Sequence, residues 1–148
     1  MAWAVEYTDE FGEWWQDLTD EQQEDVDAHV LELERRGPML PFPYSSDVKG
    51  SAHGAMRELR VQSGGRPIRV FYAFDPRRTA ILLIGGIKGG NKRFYDQLVP
   101  IADRLYDLHL AELKLENEKE LTHGRETPIR ETSRQNVTAG ARSRRRKK

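Results

Sequence analysis

Between Met56 and Tyr95 three short apolar runs, Met56–Val61, Ile68–Phe74 and Ala80–Ile84, are separated by Ser63-Gly64-Gly65-Arg66 and by Asp75-Pro76-Arg77-Arg78. Glycine, proline and aspartate supply the backbone angles of a tight reversal, so these β-branched and aromatic runs predict two consecutive hairpins. The chain must therefore build a meander of at least three strands, and everything else must pack on it.

Side chains alternate across a strand, which places Leu59 and Val61 on one face of the first run and Glu58 and Arg60 on the other. In the second run Ile68, Val70, Tyr72 and Phe74 share a face, and Arg69, Phe71 and Ala73 take the opposite one. A symmetric four-residue loop at 63–66 pairs Gln62 with Pro67 and sets Arg60 opposite Arg69. Two facing guanidinium groups repel unless an anion lies between them. The pair predicts a phosphate-binding site.

The charge pattern points the same way. Residues 1–37 carry 12 acidic and 2 basic side chains, residues 38–95 carry 3 and 10, residues 96–118 carry 6 and 2, and residues 119–148 carry 3 and 10. A net charge of zero thus hides a cationic sheet between acidic helices, a field suited to a polyanion that docks in one place.

Before the meander, Trp3, Val5 and Tyr7 alternate with Ala4 and Glu6 as in a short strand. Thr8 or Asp9 caps a helix with Phe11, Trp14, Trp15 and Leu18 on one side. Thr19 and Gln22 form a capping box for a second helix, through Val26, Val30 and Leu33, that Gly37-Pro38 stops. Residues 37–55 read as a long loop in which Lys49 and His53 are candidates for chemistry. After the meander, Asn91 is expected to cap a helix with Phe94, Leu98, Ile101, Leu105 and Leu108 facing the core, Pro100 bending it or marking its start. Residues 1–118 form the expected folded domain, and 119–148, ending in SRRRKK, a basic tail of disordered composition.

Cysteine is absent, which excludes disulfides and thiolate metal sites. Neither a secretory leader nor a membrane-spanning apolar run is visible, so a soluble cytoplasmic protein is expected, without a membrane partner. His29, His53, His109 and His123 are scattered, so no metal site is predicted. The run from Gly85 to Lys92 follows a strand and opens a helix, yet it lacks the GxxxxGK[ST] spacing of a nucleotide-hydrolysing phosphate loop. What remains is a cationic and aromatic constellation: Arg57, Arg60, Arg69, Lys88, Lys92, Arg93 and Tyr95, with Phe71 on the face of the central arginines. Arginine forks hold phosphate and aromatic rings stack bases, a combination that permits RNA cleavage without metal or cofactor.

The helix pair, Glu58-Leu59-Arg60, Arg69-Val70-Phe71-Tyr72, a strand leading to Lys88, and then Arg93-Phe94-Tyr95 and a helix, together resemble the HigB branch of the RelE/ParE toxin superfamily over roughly residues 1–115. The resemblance implies an α+β, RelE-like fold: two N-terminal helices and a C-terminal helix on a three- to four-stranded, mainly antiparallel sheet. It implies a toxin of a bacterial or phage type II toxin–antitoxin system. Such toxins are ribosome-dependent mRNA interferases, neutralised by a small antitoxin, expected here to be a helix-turn-helix protein. Carried onto this chain, Arg60 and Arg69 hold the phosphate, Lys88 stabilises developing charge or protonates the 5′-oxygen, and Tyr95 stacks or transfers a proton. Ile87 stands where an acidic residue is expected. Arg57, Phe71, Lys92, Arg93, Lys49 and His53 are the remaining candidates for RNA contact. A gyrase inhibitor of the ParE kind, or a nucleic-acid-binding relic without activity, is the alternative.

Overall fold

A computed structural model describes residues 2–122, 134–136 and 145–147. Strand β1 (Val5–Tyr7) leads into helices α1 (Asp9–Gln16) and α2 (Asp20–Arg36). The Thr8 hydroxyl accepts from Phe11 N at 3.0 Å, and Thr19 and Gln22 form the reciprocal box, satisfying N–H groups that a helix start leaves open. Gly37 ends α2 at φ +56°, and a Cβ there would overlap the Trp3 indole, so both backbone and packing require glycine.

Residues 37–55 are more ordered than a loop. They hold a 3-10 turn at Gly37–Met39 and a strand, β2 (Ser45–Asp47), paired antiparallel with β3 (Arg57–Ser63). Three residues carry no detectable period, and β2 forms because it covers part of an edge whose backbone groups would otherwise lack partners. The meander continues through β4 (Arg66–Phe74) and β5 (Ala80–Ile87). Its first reversal is shorter than expected, turning on Gly64 and Gly65 at φ +57° and +79°, as a two-residue hairpin demands. The register is nevertheless the expected one, with Gln62 opposite Pro67 and Arg60 opposite Arg69.

Strand order is β2-β3-β4-β5-β1, continued by β7 (Arg145–Lys147) and β6 (Arg134–Asn136). The sheet is thus wider than three or four strands, and mixed, because β1 lies parallel to β5 with Val5 beside Ala80. Of the tail predicted over 119–148, Lys119–Thr122 belong to helix α3 (Phe94–Thr122) and two short pieces are β6 and β7. Residues 123–133, 137–144 and 148, on which the expectation of disorder also falls, lie outside the described residues.

Both sheet faces are covered. Leu59, Val61, Ile68, Val70 and Tyr72 pack with Phe11, Trp15, Val26, Val30 and Leu33 of α1 and α2. Phe71, Ala73, Ile81 and Leu83 pack with Phe94, Val99, Ala102, Leu105 and Tyr106 of α3. Burying each such side chain contributes about 1.5–3 kcal/mol. The stripe expected on α3 is rotated at its far end: Leu108 is 54% exposed, while Tyr106 and His109 are buried. A 3.5-residue spacing drifts about 20° per heptad around a 3.6-residue helix, which is what turns Leu108 outward after two heptads. The helix also begins at Phe94 with Pro100 inside it, and Asn91 Oδ1 accepts from Arg93 N at 2.9 Å in the preceding turn.

The glycines at the end of β5 serve packing. A bulge between Phe71 and Tyr72 turns both Leu83 and Ile84 toward the α3 cluster. A Cβ on Gly85 would overlap the Trp14 ring, and one on Gly86 would stand 2.7 Å from Leu98 and 2.9 Å from Phe94. Helices press on the strand from both sides, and only glycine admits them.

Candidate phosphate-binding site

The repulsion of Arg60 and Arg69 is met from within the chain. Glu58, two residues before Arg60 on the same face, is only 4% exposed. Its Oε2 accepts from Arg60 Nη1 at 3.2 Å and from Ser46 Oγ at 2.9 Å; its Oε1 accepts from Tyr95 O–H at 2.8 Å and lies 3.9 Å from Arg69 Nε. Alternation already put Glu58 on the arginine face, and it is the lone carboxylate of the three strands on that face. That was the signal for its role.

The counter-charge is incomplete. Arg69 is 6% exposed, its Nη1 donates to the Ile68 carbonyl at 3.1 Å, and its buried Nε makes no hydrogen bond. A buried guanidinium N–H without an acceptor is costly, and a phosphate oxygen would relieve it. Two concavities flank the arginines. One, of about 310 Å³, is lined by His29, Pro43, Tyr44, Arg60, Gln62 and Arg69; the other, of about 370 Å³, by Asp47, Val48, Lys49, Glu58 and Tyr95.

Tyr95 reaches this site from the first turn of α3, with its ring against Phe71 and Phe94. Burial and the bond to Glu58 raise its pKa, with Arg69 opposing, so at neutral pH it is a donor. Lys88 Nζ stands 5.5 Å from the Tyr95 ring centroid, a cation–π contact that holds the ammonium beside the site. Lys88 N donates to the Pro67 carbonyl at 2.8 Å, which fixes the turn after β5. Arg57 borders the cluster, its Nε donating to Ser45 Oγ at 2.9 Å and its Nη1 to Asp47.

Not every candidate converges. Phe71 is fully buried beneath Phe94 and Tyr95, so it cannot stack a base; the arginine face at its level is covered by α3. His53 is tied to α3, with Nε2 2.7 Å from Asp107 Oδ1 and its ring edge-on to Tyr106 at 4.8 Å. Lys92 and Arg93 are exposed in the turn before α3. Residues that the sequence did not mark as functional stand close by: Phe42, whose ring lies 5.4 Å from Arg60 Cζ, and Tyr44 and His29, whose rings are 6.3 Å apart. They sit in a proline-rich loop and on a helix without any motif, and tertiary packing alone brings them to the arginines. Among the described residues no group of three or more His, Cys, Asp or Glu side chains gathers as a metal site, and no helix is long and apolar enough to cross a membrane.

A second polar cluster lies beyond β4. Asp75 Oδ2 accepts from His109 Nε2 at 2.7 Å and from Arg77 Nη2 at 2.7 Å, and Oδ1 accepts from the backbone of Arg77 and Thr79. Arg77 Nη2 also reaches Glu6 Oε1 at 2.9 Å. Burial disfavours the Asp75 carboxylate, but His109 and Arg77 outweigh it and hold its pKa at about 2.

Comparison with known proteins shows the family. Residues 13–107 match the family described as Phage derived protein Gp49-like. "Putative toxin HigB2" of Mycobacterium tuberculosis (strain ATCC 25618 / H37Rv) is 37% identical over 116 residues, 77% of this chain and 57% of that protein, so the chain spans little more than half its length. "Putative toxin HigB3" of the same organism is 42% identical over 99 residues, 66% of this chain and 85% of that protein. Among solved structures, the archaeal RelE–RelB complex from Pyrococcus horikoshii OT3 aligns at a TM-score of 0.47 and 16% identity, over 62% of this chain and 100% of that chain. On this family match and these identities, the chain belongs to the Phage derived Gp49-like family and is HigB-like.

Proposed function

We propose that the chain acts as a toxin that cleaves mRNA at the ribosome and is silenced by a cognate antitoxin. One observation carries the reading: Arg69, buried and with Nε lacking a hydrogen bond, faces Arg60 across a hairpin whose flanks open into concavities. In this reading the scissile phosphate is held by Arg60 and Arg69. The ribose 2′-hydroxyl attacks the adjacent 3′-phosphorus, the P–O5′ bond breaks, and a 2′,3′-cyclic phosphate forms. Lys88 gives a proton to the departing 5′-oxygen, and Tyr95 holds Glu58 in place while Glu58 orients Arg60. Holding the phosphate and stabilising its added charge are the main sources of rate in such a site.

Inducible expression with primer extension on a reporter mRNA tests this. Cuts within translated codons are expected. Arg60→Ala and Arg69→Ala should each lower cutting by about 100-fold or more, the range for removing a donor to a developing oxyanion. Uncut mRNA together with poisoned DNA gyrase would replace this reading with inhibition by binding.

A further inference from the structure

We infer that the concavity at the outer edge of β3 seats the nucleotide whose 2′-hydroxyl attacks, and that His29 Nε2 accepts the proton of that hydroxyl. The inference rests on the ribonuclease reading and supplies what that reading lacks. Arg60, Arg69 and Lys88 are donors, Tyr95, its pKa raised, keeps its proton, and the buried Glu58 has its oxygens taken by Arg60, Ser46 and Tyr95.

His29 lines the same concavity as Arg60 and Arg69, together with Pro43, Tyr44 and Gln62. Its Nδ1 lies 3.0 Å from the Asp25 carbonyl oxygen, one turn back in α2. A carbonyl can only accept, so Nδ1 carries the proton and the lone pair of the neutral ring is on Nε2. Among the described residues nothing bonds Nε2. Asp25 and Glu32 are the neighbours of His29 at i−4 and i+3 on α2, Tyr44 stands beside the ring, and the two arginines line the same concavity. Glu32 is engaged by Arg35 at 2.8 Å and Arg36 at 3.4 Å.

Placement across the sheet fits an in-line displacement, in which attacking and leaving oxygens stand on opposite sides of phosphorus. Lys88 follows β5, Arg69 is on β4, Arg60 on β3, and the concavity with His29 lies beyond β3 at the sheet edge. Base and acid thus flank the arginine pair. The rim suits a base on that same nucleotide: Phe42 is 69% and Tyr44 46% exposed, large aromatic surfaces beside buried positive charge. Exposed rings next to guanidinium groups are how single-stranded RNA is gripped. In the balanced step the 2′-proton passes to Nε2, the 2′-oxygen bonds phosphorus, the P–O5′ bond breaks and the 5′-oxygen takes the Lys88 proton. Solvent then resets both groups.

The test is single-turnover cleavage of a reporter mRNA on translating bacterial ribosomes by wild type, His29→Gln and His29→Ala, with circular dichroism confirming folding. A matched mRNA carrying 2′-deoxyribose at the cut site reports binding alone. The expected result is a loss of about 100-fold or more in the cleavage rate at saturating toxin. Binding of the deoxy-substituted mRNA should stay within a few-fold, and added imidazole should restore His29→Ala. A wild type that cuts while His29→Gln cuts equally fast, or an alanine variant that imidazole does not rescue, overturns the role of His29 and leaves the nuclease reading standing. A wild type that cuts nothing overturns both.

Discussion

Two charged clusters sit toward opposite ends of β4, and they are finished differently. Around Asp75, both carboxylate oxygens are occupied, Arg77 is shared between Asp75 and Glu6, and His109 closes the cluster from α3. Around Glu58, one carboxylate serves two arginines, a tyrosine and a serine, and Arg69 Nε is left without a hydrogen bond. With both Asp75 oxygens taken, the first cluster behaves as a strut between β1, the β4–β5 turn and α3. The second has unmet positive charge and open space beside it, which is what an anion needs.

The largest effect should come from breaking the closed cluster. Asp75→Ala leaves Arg77 and His109 without their shared acceptor, and should cost about 3–5 kcal/mol of unfolding free energy by urea denaturation. Arg69→Ala, in the open cluster, should cost less than about 1 kcal/mol, since it removes a charge already short of partners. If the two variants lost stability equally, the contrast between strut and site would collapse.

Acid separates the clusters next. With a folded pKa of about 2 against an ordinary value near 3.8, Asp75 contributes stability that is complete above pH 4 and is lost as pH falls toward 2. The shift corresponds to about 2 kcal/mol. The slope of unfolding free energy between pH 4 and pH 2 should be shallower in Asp75→Asn; an unchanged slope would mean that other carboxylates carry the acid response.

Removing the internal counter-charge sharpens the comparison. Glu58→Gln keeps one acceptor oxygen, for Tyr95 or for Ser46, but removes the charge and leaves Arg60 and Arg69 facing one another, and should destabilise by about 1–2 kcal/mol. Inorganic phosphate should then raise the melting temperature of the variant more than that of wild type, because it binds only the folded state. Equal responses would argue against an anion site at the pair. The smallest effects belong to the hydroxyls: Tyr95→Phe loses the bond to Glu58 and Tyr106→Phe the 2.9 Å bond to the Phe74 carbonyl, each about 1 kcal/mol by thermal unfolding.

What could be read in advance follows the range of the interactions. The caps at Thr8 and Thr19, the stop at Gly37 and the facing of Arg60 and Arg69 depend on residues close in sequence or on strict alternation. Strand β2, the parallel seating of β1 beside β5 and the burial of His109 against Asp75 do not. They arise because a sheet edge and a buried carboxylate require partners, and many segments could have supplied them. Phe71 shows the same limit: alternation placed it correctly beside the arginines, but could not say that Phe94 and Tyr95 would lie on top of it.

By itself, the sequence determined a meander with two arginines opposed on one face, because side-chain alternation and hairpin register are local properties of the backbone. Only the tertiary structure decided that Glu58 would lie between them, that Tyr95 would arrive from a helix 37 residues away to hold it, and that His29 and Tyr44 would wall the space beside them. The reason is that a charge buried by long-range packing takes whatever partner the fold delivers, and here the fold delivered one carboxylate for two guanidinium groups.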